Sequence, residues 1–185
     1  NWKNKNDSVQ HLIKTKLTGS YNFENILSAI AIGRFFKIDP QQIKRAIENY
    51  IPNNNRSQII NKQDNTIFLD AYNANPTSMK KAIDTFKNIS EKKQKFFIIG
   101  DMLELGKYSE DEHLSIIQKL NKDEIKGIFV GEHFYRHRKA FPLFEFFKNV
   151  FELTDRLKNS KIKDSFILIK GSRGIQLEKS VQYIN

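Results

Sequence analysis

The chain has 185 residues, a formal net charge of +10, a hydrophobic fraction of 39%, 15 phenylalanines and no cysteine. This length and apolar content predict one folded domain, or one domain with part of a second, and exclude a wholly disordered chain. The lack of cysteine excludes disulfides, cysteine nucleophiles and thiolate metal sites, and no run of 18 apolar residues predicts a membrane span.

The N-terminal third of the chain shows two helical patterns. A short strand is predicted at residues 12–17, and apolar residues at helical spacing predict a helix that includes residues 23–30. Asp39 followed by Pro40 is typical of an N-cap and a first helical position, which predicts a second helix. The turn-rich residues 51–56, IPNNNR, end this pattern and mark a boundary. The polar start of the chain lacks the apolar middle of a signal peptide, which favours a cytoplasmic protein.

After this boundary, short apolar strands alternate with amphipathic helices. The predicted strands are 57–60, 66–69, 96–99, 127–130, a short one near 150–151, and 166–169. The predicted helices follow Asn75, begin with a capping box at 109–112, lie near 132–141, start at Asp155 and cover 176–184. The first two strands are spaced as a hairpin. We therefore predict an α/β fold with a Rossmann-like, open, mostly parallel sheet covered by helices on both faces, preceded by a mainly helical segment.

Three of the predicted strands are followed by polar turns: DAYNANP at 70–76, GDMLELG at 100–106 and KGSRG at 170–174. In open parallel sheets, ligands bind outside the carboxyl ends of the strands. The three turns are therefore expected to share one edge of the sheet and to form a binding site there.

The first of these turns carries more polar groups than a helix start needs. Capping of the following helix explains Asn75 and Pro76. Asp70 is predicted at a strand end rather than in the core, where its carboxylate suits the hydroxyls of a ribose. Tyr72 and Asn73 are not needed for capping, so the cluster as a whole indicates ligand binding.

Two other stretches offer binding groups. Asn22 and Asn25 lie three residues apart on one face of a predicted helix, and an asparagine amide matches the N6/N7 edge of adenine. The preference of asparagine for helix starts is the competing explanation. In KGSRG, glycine N–H groups together with Arg173 favour an anion site. This turn is not a Walker A loop, and the sequence contains none.

The sequence does not predict a metal site. Asp101 and Glu104 follow a strand, but two carboxylates without further ligands are a poor metal site. His133 and His137 are spaced as a helical pair, yet they lack an HExxH-type acid and are better explained as surface histidines.

The positive charge has three explanations: a lysine-rich composition, an anionic small-molecule ligand, or nucleic acid. The lysines are scattered, and no zinc-finger, RNP-type or helix-turn-helix motif is present. Nucleic-acid binding is therefore the least favoured of the three.

Five stretches occur together in the order typical of one family: GSYNFEN at 19–25, Arg56 after a Pro/Asn-rich joint, DAYNANPTSM at 70–79, GDMLELG and KGSRG. Over essentially its whole length, the chain resembles the C-terminal part of the Mur ligases. The resemblance implies that residues 1–54 end a central ATPase domain and that residues 55–185 form a C-terminal Rossmann-like domain. It also implies that the phosphate loop and the Mg²⁺ ligands lie upstream. We therefore expect a fragment that has no catalytic residue of its own and is inactive alone.

The motifs YNANP and GDMLELG resemble one branch of this family, whose members use ATP and Mg²⁺ to join D-Ala-D-Ala to UDP-N-acetylmuramoyl-tripeptide through an acyl phosphate. The residues that the resemblance places against the adenine, ribose or phosphates of ATP are Asn22, Asn25, Arg56 and Asp70. The residues expected to place the dipeptide or hold its carboxylate are Tyr72, Asn73, Asn75, Lys170, Ser172 and Arg173. We expect a monomer that binds these substrates and no nucleic acid. The alternative is a Rossmann-like module that binds a nucleotide or anion without catalysis.

Overall fold

The computed structural model describes residues 12–17, 19, 22–90 and 92–184. By its internal contacts the chain divides into two compact units, Asn1–Asn53 and Asn54–Asn185. Within the described ranges, no helix is long and apolar enough to cross a membrane.

The first unit contains two helices, α1 at Asn22–Phe35 and α2 at Pro40–Asn49. The Asp39 carboxylate caps α2 by accepting hydrogen bonds from the backbone N–H groups of Gln41 and Gln42, at 2.8 and 3.3 Å. These bonds satisfy donors that the first turn of a helix leaves without partners. The predicted N-cap is confirmed.

Residues 12–17 form no strand, so the strand predicted there is wrong. Two side chains of α2 instead form hydrogen bonds with the backbone of residues 12 and 14. The Lys14 N–H donates to Glu48 Oε1 at 3.0 Å, and the Lys44 ammonium donates to the Leu12 carbonyl at 2.7 Å. These side-chain partners take the place of a backbone ladder.

The second unit is built on a six-stranded sheet. Its strands are β1 Gln58–Lys62, β2 Asn65–Asp70, β3 Gln94–Gly100, β4 Lys126–Val130, β5 Glu145–Phe147 and β6 Ser165–Lys170. They lie in the order β1-β2-β6-β3-β4-β5. β1 and β2 form an antiparallel hairpin, and the other neighbours are parallel. The predicted hairpin and the mostly parallel sheet are confirmed.

Alternate strand residues face two separate apolar cores. The helices that cover the sheet are α3 Pro76–Asn88, α4 Ser109–Lys122, α5 Glu132–Tyr135 and α6 Val150–Asn159. On one face, Phe97 of β3 packs with Phe129 of β4 at 5.0 Å between ring centroids, within a core that includes buried side chains of α3 and α4. On the other face, Ile98 packs with buried leucines of α6. Burial on both faces explains why the strands are continuous apolar runs.

The last predicted strand–helix pair before β6 is misplaced in the sequence prediction. The strand expected near 150–151 lies at Glu145–Phe147, and α6 begins at Val150 rather than at Asp155. Asn149 sets this start, because its side-chain oxygen accepts hydrogen bonds from the N–H groups of the second and third helical residues at 3.0 and 3.1 Å.

The predicted C-terminal α-helix is instead a 3₁₀ helix at Leu177–Tyr183, preceded by Gln176 in the left-handed conformation with φ 60°. Leu177 and Ser180 are fully buried, which is the three-residue spacing of a 3₁₀ helix. The Lys62 ammonium holds its end by donating to the carbonyls of Val181 and Gln182, at 2.8 and 2.7 Å.

Candidate functional site

The three polar turns meet at the carboxyl edge of the sheet, because β6 lies between β2 and β3. Ser172 connects them. Its N–H donates to the Asp101 carbonyl at 3.0 Å, and its hydroxyl accepts from the Leu103 N–H at 2.9 Å and donates to the Ala74 carbonyl at 3.4 Å. The expectation that these turns share one edge is confirmed.

Lys170, at the end of β6, is 1% exposed and holds the first turn in place. Its ammonium donates to Asp70 Oδ2 at 2.8 Å and to the Asn73 carbonyl at 3.0 Å. The other oxygen of Asp70 accepts a hydrogen bond from the Ser57 N–H at 3.3 Å. Asp70 is therefore the partner of a buried cation, in addition to being a strand-end carboxylate.

Tyr72 brings two arginines to the same edge. The Arg56 guanidinium lies over its ring, 3.8 Å from the centroid, and the Arg173 guanidinium lies 5.4 Å from it. Both arginines are exposed. Hydrogen bonding and charge from Arg56, followed by the charge of Arg173, lower the pKa of the Tyr72 phenol below its ordinary value. Two cations beside one ring make this edge attractive to an anion.

The two asparagines of the first turn differ in their surroundings. Asn75 caps α3: its side-chain oxygen accepts from the Ser78 N–H at 2.8 Å, and the Ser78 hydroxyl accepts from the Asn75 N–H at 3.1 Å. This reciprocal pair confirms the capping explanation for Asn75. The Asn73 side chain is exposed, beside a backbone that Lys170 fixes.

In the second turn, the Asp101 carboxylate has a structural role. It is 2% exposed and accepts hydrogen bonds from the N–H groups of His133 and Phe134, at 2.9 and 3.0 Å. These bonds cap the start of α5. Among the described residues, no group of three or more His, Asp or Glu side chains could hold a metal ion.

In the first unit, Asn22 and Asn25 touch at the start of α1. The Asn25 amide donates to the Asn22 side-chain oxygen at 3.1 Å. Asn25 also lines a cavity of about 340 Å³, together with Leu17, Ile26, Ala29, Ala46, Ile47 and Tyr50. An apolar cavity with an amide on its wall suits a flat heterocyclic base. Of the GSYNFEN motif, Ser20 and Tyr21 lie outside the described residues.

The family model for the Mur ligase, glutamate ligase domain, matches residues 55–173. The chain belongs to the Mur ligase family. This confirms the resemblance that the motifs indicated, and the match falls on the unit that carries the three turns.

Among curated Mur ligases, the UDP-N-acetylmuramoyl-tripeptide–D-alanyl-D-alanine ligase of Bacillus subtilis is 30% identical over 94% of this chain and 40% of its own length. The enzyme of the same name from Rickettsia prowazekii is 38% identical over 69% of this chain and 29% of its own length. The chain thus spans 40% or less of these two relatives.

Solved Mur ligase structures share the fold. MurF from Acinetobacter baumannii superimposes with a TM-score of 0.79 at 24% identity, over 92% of this chain and 39% of that one. MurF from Thermotoga maritima, solved in complex with ADP, gives a TM-score of 0.70 at 18% identity, over 90% of this chain and 38% of that one.

In this Mur ligase chain, sequence reasoning missed a buried histidine beneath the second turn. His113 is fully buried in α4; its Nε2 accepts from the Met102 N–H at 3.0 Å, and its Nδ1 lies 2.6 Å from the Ser109 carbonyl. These partners require a neutral ring with the proton on Nδ1. The spacing of Ser109 and His113, four residues apart, was the available signal.

The predicted capping box at Ser109 is wrong, because the Ser109 hydroxyl instead contacts the rings of His113 and His133.

Lowering the pH from about 7.5 to about 5.5 is expected to reduce the free energy of unfolding through His113. Burial lowers the pKa of His113 below its ordinary value of 6.5 in the folded chain, although the Ser109 hydrogen bond opposes this effect. As the pH falls through the ordinary value, the unfolded chain takes up a proton that the folded chain does not. Stability that is fully present above that pH is therefore progressively lost below it.

Urea unfolding at both pH values measures this loss. We expect a smaller fall in His113→Gln than in the unsubstituted chain, because the contribution of the carboxylates is common to both and cancels in the comparison. Equal falls in the two proteins would contradict the assignment of a neutral, buried His113.

Proposed function

We propose that this chain is the C-terminal part of an ATP-dependent ligase that joins D-Ala-D-Ala to UDP-N-acetylmuramoyl-tripeptide. In this proposal, residues 1–54 end the central ATPase domain and residues 55–185 form the C-terminal domain. The names of the curated relatives support the substrates. The observation in the structure that carries the proposal is the meeting of three polar turns, with two exposed guanidinium groups, at the carboxyl edge of the sheet.

The chemistry assigned to this edge is the placement of the dipeptide. D-Ala-D-Ala is small and polar, with an amine, an amide and a carboxylate, so its site needs fixed donors, acceptors and a cation more than apolar area. Asn73 presents an exposed amide on a fixed backbone, and Arg173 presents a guanidinium for the carboxylate. Asn75 and Ser172 complete the wall, and Lys170 supports the site by holding Asp70 and Asn73.

In the proposed reaction, the tripeptide carboxylate takes the terminal phosphoryl group of ATP, which gives an acyl phosphate and releases ADP. The dipeptide amine then forms a C–N bond to the acyl carbon and loses a proton, and phosphate leaves with the electrons of the C–O bond. This chain binds and orients the dipeptide for that attack. No step is assigned to a metal ligand among its described residues.

Contacts with ATP are assigned to each unit by itself. Asn25, supported by Asn22, offers an amide beside an apolar cavity that can take the adenine ring. Arg56 offers a guanidinium for phosphate, and Asp70 offers a carboxylate at the end of β2.

The full-length protein that carries this chain tests the proposal. With ATP, UDP-N-acetylmuramoyl-tripeptide and D-Ala-D-Ala, we expect phosphate release and a pentapeptide product detected by mass spectrometry, with no product when the dipeptide is omitted. Nucleotide binding without product under these conditions would instead favour the non-catalytic module.

Asn73→Ala and Arg173→Ala are each expected to raise the KM for D-Ala-D-Ala by roughly ten- to a hundredfold in that protein. Loss of one hydrogen bond to a charged ligand group costs about 1.5–3 kcal/mol. The KM for ATP should change much less. Asn61→Ala, which removes an exposed amide from β1, is the control and should leave both constants unchanged. An Arg173 variant that loses ATP affinity and keeps dipeptide affinity would show that this arginine binds phosphate.

A further inference from the structure

The ring face of Tyr72 is already occupied in the structure. The Arg56 guanidinium carbon lies over the ring, 3.8 Å from its centroid, closer than any other cation over an aromatic ring among the described residues. The face that Arg56 covers is not available to a dipeptide methyl group. Arg56 precedes β1 in the chain.

The backbone around Arg56 is held in a specific shape. Asn55 and Ser57, on either side of it, adopt left-handed conformations with φ 59° and 49°. The Ser57 N–H donates to Asp70, which ties this segment to the end of β2. The Arg56 side chain therefore extends toward the Tyr72 ring from a backbone segment that is held in place.

We propose that Tyr72 is a positioning residue that holds the Arg56 guanidinium ready for a phosphate group of the nucleotide. The inference rests on the proposed function, in which Arg56 contacts ATP. In this inference Tyr72 acts on nucleotide binding through Arg56 and does not contact the dipeptide directly.

Stacking is compatible with this task because of the shape of a guanidinium. A guanidinium that packs its flat face on a ring keeps its N–H donors in the plane, directed outward. Those donors can then form two parallel hydrogen bonds to an oxyanion. An arginine without such a support would have to lose its side-chain freedom when the anion binds.

A double-mutant cycle in the full-length ligase tests the inference. The KM values for ATP and for D-Ala-D-Ala are measured separately for Tyr72→Phe, Tyr72→Leu, Arg56→Ala and the double variant. Tyr72→Leu should raise the KM for ATP by about twofold to about fivefold, the range expected for an exposed cation–π contact, and should leave the KM for the dipeptide unchanged. Tyr72→Phe keeps the ring but loses the hydroxyl that interacts with Arg56, so it should raise the KM for ATP less than Tyr72→Leu does.

The decisive expectation is non-additivity. In the Arg56→Ala background, Tyr72→Leu should cause no further rise, because the residue through which Tyr72 acts is gone. Tyr135→Leu is a matched control: Tyr135 also carries two cations, Arg138 at 4.2 Å and Lys148 at 5.3 Å, and its loss should leave the KM for ATP unchanged.

The ring-current shift of the Arg56 Nε–H resonance gives a readout that does not depend on catalysis. It should persist in Tyr72→Phe and vanish in Tyr72→Leu. Additive effects in the cycle, a rise confined to the dipeptide KM, or an Arg56→Ala enzyme with normal ATP use would each overturn the inference while the ligase reaction stands. An inactive unsubstituted enzyme would instead overturn the proposed function.

Discussion

Gly131→Ala is expected to lower the free energy of unfolding by about 2–6 kcal/mol. Gly131 has φ 124° and ψ 159°, a backbone region that is essentially restricted to glycine, and forcing another residue into it costs about 1–3 kcal/mol. An added Cβ would also lie 2.2 Å from the Asp101 carboxylate. The buried carboxylate would have to move away from the N–H groups of His133 and Phe134, at a further cost of about 1–3 kcal/mol.

Gly106→Ala separates the two contributions. Gly106 also has a positive φ, 55°, but nothing lies within 4 Å of the Cβ that alanine would add. Only backbone strain remains there, and we expect a loss of about 1–2 kcal/mol. Urea unfolding of both variants measures the difference. If Gly131→Ala were no less stable than Gly106→Ala, the contact with Asp101 would not limit this position.

The parts of the fold that were predicted correctly are those with a strong local pattern. The apolar runs at 66–69, 96–99 and 166–169 are buried on both faces, so their composition alone distinguishes them as central parallel strands. Because parallel strands bring their carboxyl ends to one edge, the meeting of the three turns followed from that assignment.

The failures lie where a local pattern was ambiguous or a distant partner decided the structure. Val150 and Phe151 suit a strand by composition, but the cap supplied by Asn149 starts a helix there. The buried His113 was missed, because the N–H that donates to its ring comes from Met102 in another turn and no local pattern shows that contact. Asp70 looked like a free strand-end carboxylate, since nothing near it in sequence shows that a lysine 100 residues later is its partner.

Breaking the Asp70–Lys170 ion pair is expected to lower the free energy of unfolding by about 3–5 kcal/mol, the usual cost of leaving one member of a buried ion pair without its partner. Lys170→Met keeps most of the apolar stem but leaves Asp70 without its cation. Asp70→Asn leaves the 1% exposed Lys170 ammonium with neutral oxygen acceptors only. In Lys170→Met the first turn also loses support, because the same ammonium holds the Asn73 carbonyl.

The double variant Asp70→Asn/Lys170→Met should lose less free energy of unfolding than the two single variants lose together. In the double variant both charges are removed, so no buried charge is left without a partner. Lys119→Met is the matched control. Its ion pair with Asp84 has the same 2.8 Å separation but is solvent-exposed, so its loss should cost less than about 1 kcal/mol. Urea unfolding of these four variants and of the unsubstituted chain measures these values. Equal losses in Lys119→Met and Lys170→Met would show that burial adds nothing to the Asp70–Lys170 pair. Any effect of Asp70 on ATP use must therefore be measured in Asp70 variants whose folding has first been checked.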